Sequence, residues 1–267
     1  MPDLTPDSRM NPMRLMLSAL AVLAAQPLAA QETRFTKQLS AGSVVEIDNI
    51  NGSLQIMQGS GRTAEVIVTK TVKKGDGNLV KAIMEEENGV MRVCTIYLNR
   101  DPNRTTCKGN NSSDSRRGDR FEIELSYVVR LPAGVRINAE TVNGGVTVNA
   151  IDAAATVETV NGDIRVESAI AGSLTTVNGR ITGTFTRATW DGTLNVETVN
   201  GSVDLTFPAN LSAVVSGETV NGSISSPDFP VTITGKWGPK SFRGTIGSGG
   251  RELNIETVNG SITLRKR

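Results

Sequence analysis

Apolar and polar residues alternate through most of the chain, and the alternation changes phase at one recurring tetrapeptide. Leu194 and Val196 stand four and two places before Thr198, while Val203 and Leu205 stand two and four places after Gly201. Leu253, Ile255, Ile262 and Leu264 hold the same places around Thr257-Val258-Asn259-Gly260. Period two predicts a strand on each side of the tetrapeptide. The phase change requires Asn-Gly to turn the chain, and glycine after asparagine predicts backbone with positive φ there.

Thr-Val-Asn-Gly recurs unchanged at residues 141–144, 159–162, 176–179, 198–201, 219–222 and 257–260. The turns are therefore Asn143-Gly144, Asn161-Gly162, Asn178-Gly179, Asn200-Gly201, Asn221-Gly222 and Asn259-Gly260, with Asn51-Gly52 as a degenerate seventh. Steps between the asparagines are 18, 17, 22, 21 and 38 residues, the last reading as about two steps of 19. Such a period predicts a solenoid with one short coil per copy. The fold expected is all-β: a parallel β-solenoid, or β-helix-like repeat domain, capped by irregular antiparallel β-structure. Its alternative is an antiparallel β meander or sandwich in which each Asn-Gly closes a hairpin. Stacking is favoured because it explains why four residues return unchanged while the lengths between them vary, since identical side chains on neighbouring rungs can form ladders. On either reading glycine is needed at each turn, with the degenerate Gly52 expected to tolerate replacement best.

Residues 1–30 read as a signal peptide. Arg9 and Arg14 precede the mostly apolar Leu15 to Ala25, and Pro27-Leu28-Ala29-Ala30 ends the stretch before polar residues. The apolar run is too short for a bilayer span. Cleavage after Ala30 leaves no transmembrane anchor and predicts an exported protein of the periplasm, cell surface or medium.

Residues 31–130 are irregular and read as a β cap, and residues 131–267 as the solenoid. Leu79 to Glu87 and Val90 to Tyr97 flank Asn88-Gly89 and predict a hairpin. Cys94 and Cys107, the only two cysteines, predict a structural disulfide in an exported chain. The glycine run from Gly244 to Gly250 lacks the lysine and following helix of a phosphate loop, so it predicts a tight backbone crossing.

Composition narrows the function. A net charge of +1 gives no basic field for nucleic acid. The absence of histidine removes Ser-His-Asp and Cys-His triads and leaves no metal or cofactor site to expect. A scarcity of aromatic residues suits a thin coil interior.

The leader, the cysteine pair, Leu131-Pro132-Ala133-Gly134-Val135, the serial Thr-Val-Asn-Gly coils and the closing Gly244-Thr245-Ile246-Gly247 segment together resemble the bacterial putative-adhesin family, over roughly residues 33–265. That family is a domain of unknown function with no catalytic residues to carry over. The resemblance implies a β-helix-like envelope or secreted protein.

Glutamate precedes five of the tetrapeptides, at Glu140, Glu158, Glu197, Glu218 and Glu256. Stacked coils would place Glu140 beside Glu158 and Glu197 beside Glu218, a surface ladder neutralised by water, by arginines such as Arg165 and Arg180, or by a cation. The function expected is non-enzymatic binding or structural work in the envelope, with an envelope or extracellular protein or polysaccharide as partner. The alternative is a carbohydrate-active β-helix enzyme, which would need two carboxylates from different coils in one groove.

Overall fold

A computed structural model describes residues 31–99, 101–108, 121–170, 172–236 and 238–267. The leader expected at residues 1–30 lies outside the described residues. Strands in the first half are β1 (Gln31–Gln38), β2 (Val44–Asp48), β3 (Leu54–Gln58), β4 (Thr63–Lys74), β5 (Val80–Glu87), β6 (Val90–Tyr97) and β7 (Glu122–Leu131). Repeats contribute β8 (Arg136–Asn143), β9 (Val146–Asn161), β10 (Ile164–Ile170), β11 (Leu174–Asn178), β12 (Ile181–Phe185), β13 (Thr193–Asn200), β14 (Val203–Phe207), β15 (Ala213–Asn221) and β16 (Ile224–Ser225). The chain closes with β17 (Thr232–Thr234), β18 (Lys240–Ile246), β19 (Arg251–Asn259) and β20 (Ile262–Lys266).

The chain runs along one sheet into each Asn-Gly corner and leaves along a second sheet, so the parallel solenoid is the observed architecture. In the incoming sheet the neighbours are β2, β8, the second half of β9, β11, β13, β19 and β15, all parallel. The outgoing sheet stacks β3, the first half of β9, β10, β12, β14, β20 and β16 in parallel. At the first end β6 adds to β2 and β7 to β3, both still parallel, and antiparallel strands extend the sheets from there, β5 on β6 and β4 then β1 on β7.

Coil order differs from chain order. Asn200 of β13 is in register with Asn259 of β19, and Asn259 with Asn221 of β15. The long last step is therefore not two coils of 19. After β16 the chain leaves the stack and lays β18 antiparallel on the far side of β15. It then crosses the end of β15 through the glycine run and inserts β19 between β13 and β15. Gly247, Gly249 and Gly250 all have positive φ, and Ser212 at the crossing donates from Oγ to the Gly249 carbonyl at 2.9 Å. Tight crossing is what those glycines provide.

Period two puts one apolar row from each sheet inside. Leu194 and Val196 lie beside Leu253 and Ile255 on the incoming side, and Val203 and Leu205 beside Ile262 and Leu264 on the outgoing side, all buried. Each such side chain contributes about 1.5–3 kcal/mol by leaving water. Small aliphatics dominate near the corner, as the scarcity of rings predicts. The opposite margin is wider: Phe185 stacks on Phe207 with centroids 5.0 Å apart, and Trp190 lies 6.0 Å from Phe207. Connections vary on that margin, from the unbroken β9 to the loop at 186–192, which is why coil lengths vary while the corner does not.

Asn88-Gly89 closes a true hairpin between β5 and β6, with φ of 53° and 78°, as a two-residue primed turn requires. Cys94 on β6 is joined to Cys107 by a disulfide, with Cα atoms 5.8 Å apart.

Candidate functional site

Each corner is held by three sets of hydrogen bonds to the next. Asparagine amides form one directional ladder: Asn221 donates to Asn259, Asn259 to Asn200, Asn200 to Asn178, Asn178 to Asn161, Asn161 to Asn143 and Asn143 to Asn51, all at 2.8–2.9 Å. Asn51 donates onward to the Tyr97 hydroxyl at 3.3 Å, which ends the ladder. Buried threonine hydroxyls reach back to a glycine carbonyl in the adjoining coil, as Thr198 does to Gly179 at 3.0 Å and Thr257 to Gly201 at 2.9 Å. Glycine N–H groups donate to the asparagine carbonyl on the other side, Gly201 to Asn259 at 3.0 Å. No hydroxyl follows beyond the last coil, and Lys240 Nζ takes its place on the Gly222 carbonyl at 2.6 Å. At the first end Asn49 stands in for threonine, donating to the Leu125 carbonyl at 3.0 Å and accepting from Thr95 at 2.8 Å. Thr95 also bonds the buried Tyr127 phenol at 2.6 Å, whose proton is held firmly by burial.

Glycine is demanded here for a reason other than the one the sequence suggested. Among the seven corner glycines only Gly52 has positive φ, at 127°. At the others a Cβ would meet the stacked neighbour: 1.8 Å from the Gly179 carbonyl oxygen at Gly201, and 2.1 Å from that of Gly52 at Gly144. Close approach of coil to coil, and not left-handed backbone, excludes a side chain. Gly52 carries both burdens, since its Cβ would sit 2.2 Å from the Leu125 carbonyl, so the degenerate copy is not the tolerant one.

Two columns point outward from the incoming side of the corner. Val142, Val160, Val177, Val199, Val258 and Val220 stack in that order, each 38–41% exposed. Beside them runs the acidic column Asp48, Glu140, Glu158, Thr175, Glu197, Glu256, Glu218. Glu140 and Glu158 adjoin as expected, but Glu197 and Glu218 do not, because Glu256 stands between them. Arg165 and Arg180 do not neutralise the column. Both lie beyond the corner, Arg165 on β10 of the outgoing sheet and Arg180 between the corner glycine and β12. The cation near the first end is Arg92, whose Nε donates to Glu46 at 2.6 Å. Burial raises the Glu140 carboxyl above its ordinary value, with Asp48 and Glu158 adding to the shift, and burial likewise raises Asp48 against the pull of Arg92.

Further from the corner the same outer face holds an open cleft of about 490 Å³. Two rows line it: Thr193, Glu252, Val214 and Thr245, then Asn254, Ser216, Arg243 and Thr232. Sequence reasoning missed this site because its rows exist only once β19 is inserted and β18 is reversed. A carboxylate pair from different coils does not converge in it; Glu252 is its one acid. Glu85 and Glu87 share a smaller hollow, but they lie on one strand and serve the disulfide loop, bonding Cys107 N at 3.0 Å and Lys108 Nζ at 3.0 Å. Among the described residues no group of acids and cysteines is arranged to hold a metal ion, and no helix is long and apolar enough to cross a membrane.

A β-solenoid of stacked Thr-Val-Asn-Gly corners defines a class of repeat-built all-β proteins. Over residues 133–265 the chain belongs to the family described as Toastrack DUF4097, the domain of unknown function to which its coils pointed. Solved structures similar to it include a putative cell adhesion protein from Clostridium sporogenes, 12% identical over 89% of this chain and 100% of that one with a TM-score of 0.48. A putative adhesin from Bacteroides fragilis is 11% identical over 90% of this chain and 99% of that one, with a TM-score of 0.39. Comparison with curated proteins gave no match.

Proposed function

We propose that the protein is exported and acts in the cell envelope or medium as a non-enzymatic binding or structural module, its working surface being the outer face of the incoming sheet. The observation that carries this is the face itself: outward side chains on rungs fixed by the asparagine and threonine bonds, with an open cleft lined mainly by hydroxyl and amide groups. Rigid rungs lower the ordering cost of binding an extended partner. The leader at residues 1–30 is removed after Ala30, and the partner is an envelope or extracellular protein or polysaccharide.

Fractionation of the native cell with intact-mass measurement tests the location, the expected species starting at Gln31. Retention of the purified chain on immobilised envelope polysaccharide and envelope protein tests the activity. A species that keeps residues 15–25, or release of sugar fragments from the polysaccharide, would overturn the reading.

A further inference from the structure

We propose that the cleft on the outer face of the incoming sheet is a binding site for an acidic polysaccharide strand lying across the β-strands. The proposal rests on the reading of the chain as a binding protein and names its ligand class.

Three features select that chemistry. The first is Arg243, exposed on β18 at the cleft, whose side chain makes no hydrogen bond or ion pair among the described residues. A free guanidinium fork is matched to a carboxylate, which it binds through two parallel N–H donors. The second is the composition of the walls. Thr232 and Thr245 supply hydroxyls that donate and accept, Thr193 and Ser216, whose protons go to Glu252 and Asn254, supply acceptors, and Asn254 and Glu252 add planar groups. This is a set suited to a polyhydroxylated ligand. Val214, 46% exposed at the floor, offers methyls to the apolar C–H face of a sugar ring.

The third feature is direction. A second hollow of about 200 Å³ opens on the same face and shares Thr193 with the first. It carries Arg136, Asn138, Thr156, Ser173 and Asp191 along its lining. The two form one strip running along the stack, with polar groups repeated at about the 4.8 Å strand spacing. A polymer presenting hydroxyls at intervals meets such a strip repeatedly, whereas a single small molecule does not.

Spacing argues against a zwitterion of amino-acid size. Arg243 lies on β18 and Glu252 on β19, with β15 between them. That separates their backbones by about 10 Å across the sheet, and the two side chains do not pair. A ligand touching both must be extended.

The test is isothermal titration of the full chain with oligogalacturonate, with its methyl ester, and with the dipeptide lysylglutamate. The acid should bind, and both esterification and Arg243→Gln should weaken binding by about ten-fold or more, as loss of a bidentate charged pair requires. Arg165→Gln, an arginine loss of equal charge on the outgoing sheet, should leave binding unchanged. The Arg243 side chain is exposed and has no partner among the described residues, so its replacement should keep the parent thermal midpoint. Absence of acid binding, equal binding of the ester, an unaffected Arg243→Gln variant, or displacement of the sugar by lysylglutamate would each reject the site. A chain that refuses oligogalacturonate yet is retained on envelope fractions rejects only the ligand class, while turnover of the sugar rejects the binding reading itself.

Discussion

Asn200 receives its side-chain hydrogen bond from Asn259, at 2.8 Å, and not from Asn221, the next asparagine of its kind in the chain. Asn221 instead donates to Asn259. The stack therefore has a rung filled out of order, by a segment that first leaves the solenoid and then returns to it.

Disulfide trapping checks that order. Ser202, Ser261 and Ser223 hold the first position after the glycine in three successive rungs, joined through Val203 N to Ser261 O at 2.9 Å and Ile262 N to Ser223 O at 2.9 Å. Cysteines at 202 and 261 should crosslink efficiently, and so should 261 with 223. The pair 202 with 223, two strand spacings or about 10 Å apart, should not, being beyond the reach of a disulfide. Bonding of 202 to 223 in preference would restore chain order to the stack.

Replacing glycines separates two physical demands. Gly201→Ala drives a Cβ to 1.8 Å from the Gly179 carbonyl, so denaturant unfolding should show a loss of at least about 3 kcal/mol, in the range of severe packing defects. Gly89→Ala meets nothing within 4 Å and carries only the strain of a φ of 78°, about 1–2 kcal/mol. Gly52→Ala should be no milder than Gly201→Ala. Equal small losses at all three sites would contradict the close stacking.

Opening the Cys94 to Cys107 bridge, which spans 13 residues in sequence, should lower stability by about 3 kcal/mol on the chain-entropy account. Urea unfolding with and without reductant measures it, and a Cys94→Ala, Cys107→Ala double variant should match the reduced parent. An unchanged midpoint on reduction would mean that the bridge constrains little.

The acidic column gives a pH dependence whose sign follows from the raised carboxyls of Glu140 and Asp48. A folded-state value above the unfolded one means that the folded chain holds its proton more tightly. The contribution is fully present below the ordinary carboxylate range and is lost as pH rises through the raised values. Facing groups are Asp48, Glu158 and Glu46, with Arg92 opposing them. Glu140→Gln should therefore equal or exceed the parent in thermal midpoint at neutral pH, and lose that advantage as the medium is acidified. A variant less stable than the parent at neutral pH would reverse the sign.

What could be read in advance followed from local chemistry. Leu194 and Val196 before the corner, and Val203 and Leu205 after it, announce two strands and a turn, and the inward threonine follows from parity. The order of rungs could not be read, because six identical tetrapeptides bond to one another equally well in any sequence. The reason for glycine was also hidden: Asn88-Gly89 and Asn200-Gly201 are the same dipeptide, yet one makes a hairpin by its backbone angles and the other a corner by its lack of Cβ. Arg243 and Glu252 gave no signal, since they become neighbours of one cleft only through the crossing at Ser212 and Gly249.

Insertion of β19 also has a consequence for biosynthesis. While the ribosome is still making residues 226–250, the rung between β13 and β15 is vacant, and Asn259 is not yet there to donate to the Asn200 side-chain carbonyl or to accept from the Asn221 amide. The half-made product therefore cannot zip its spine from one end to the other in the finished order as each coil emerges. The finished order is reached only when residues 251–267 arrive to fill the rung between β13 and β15.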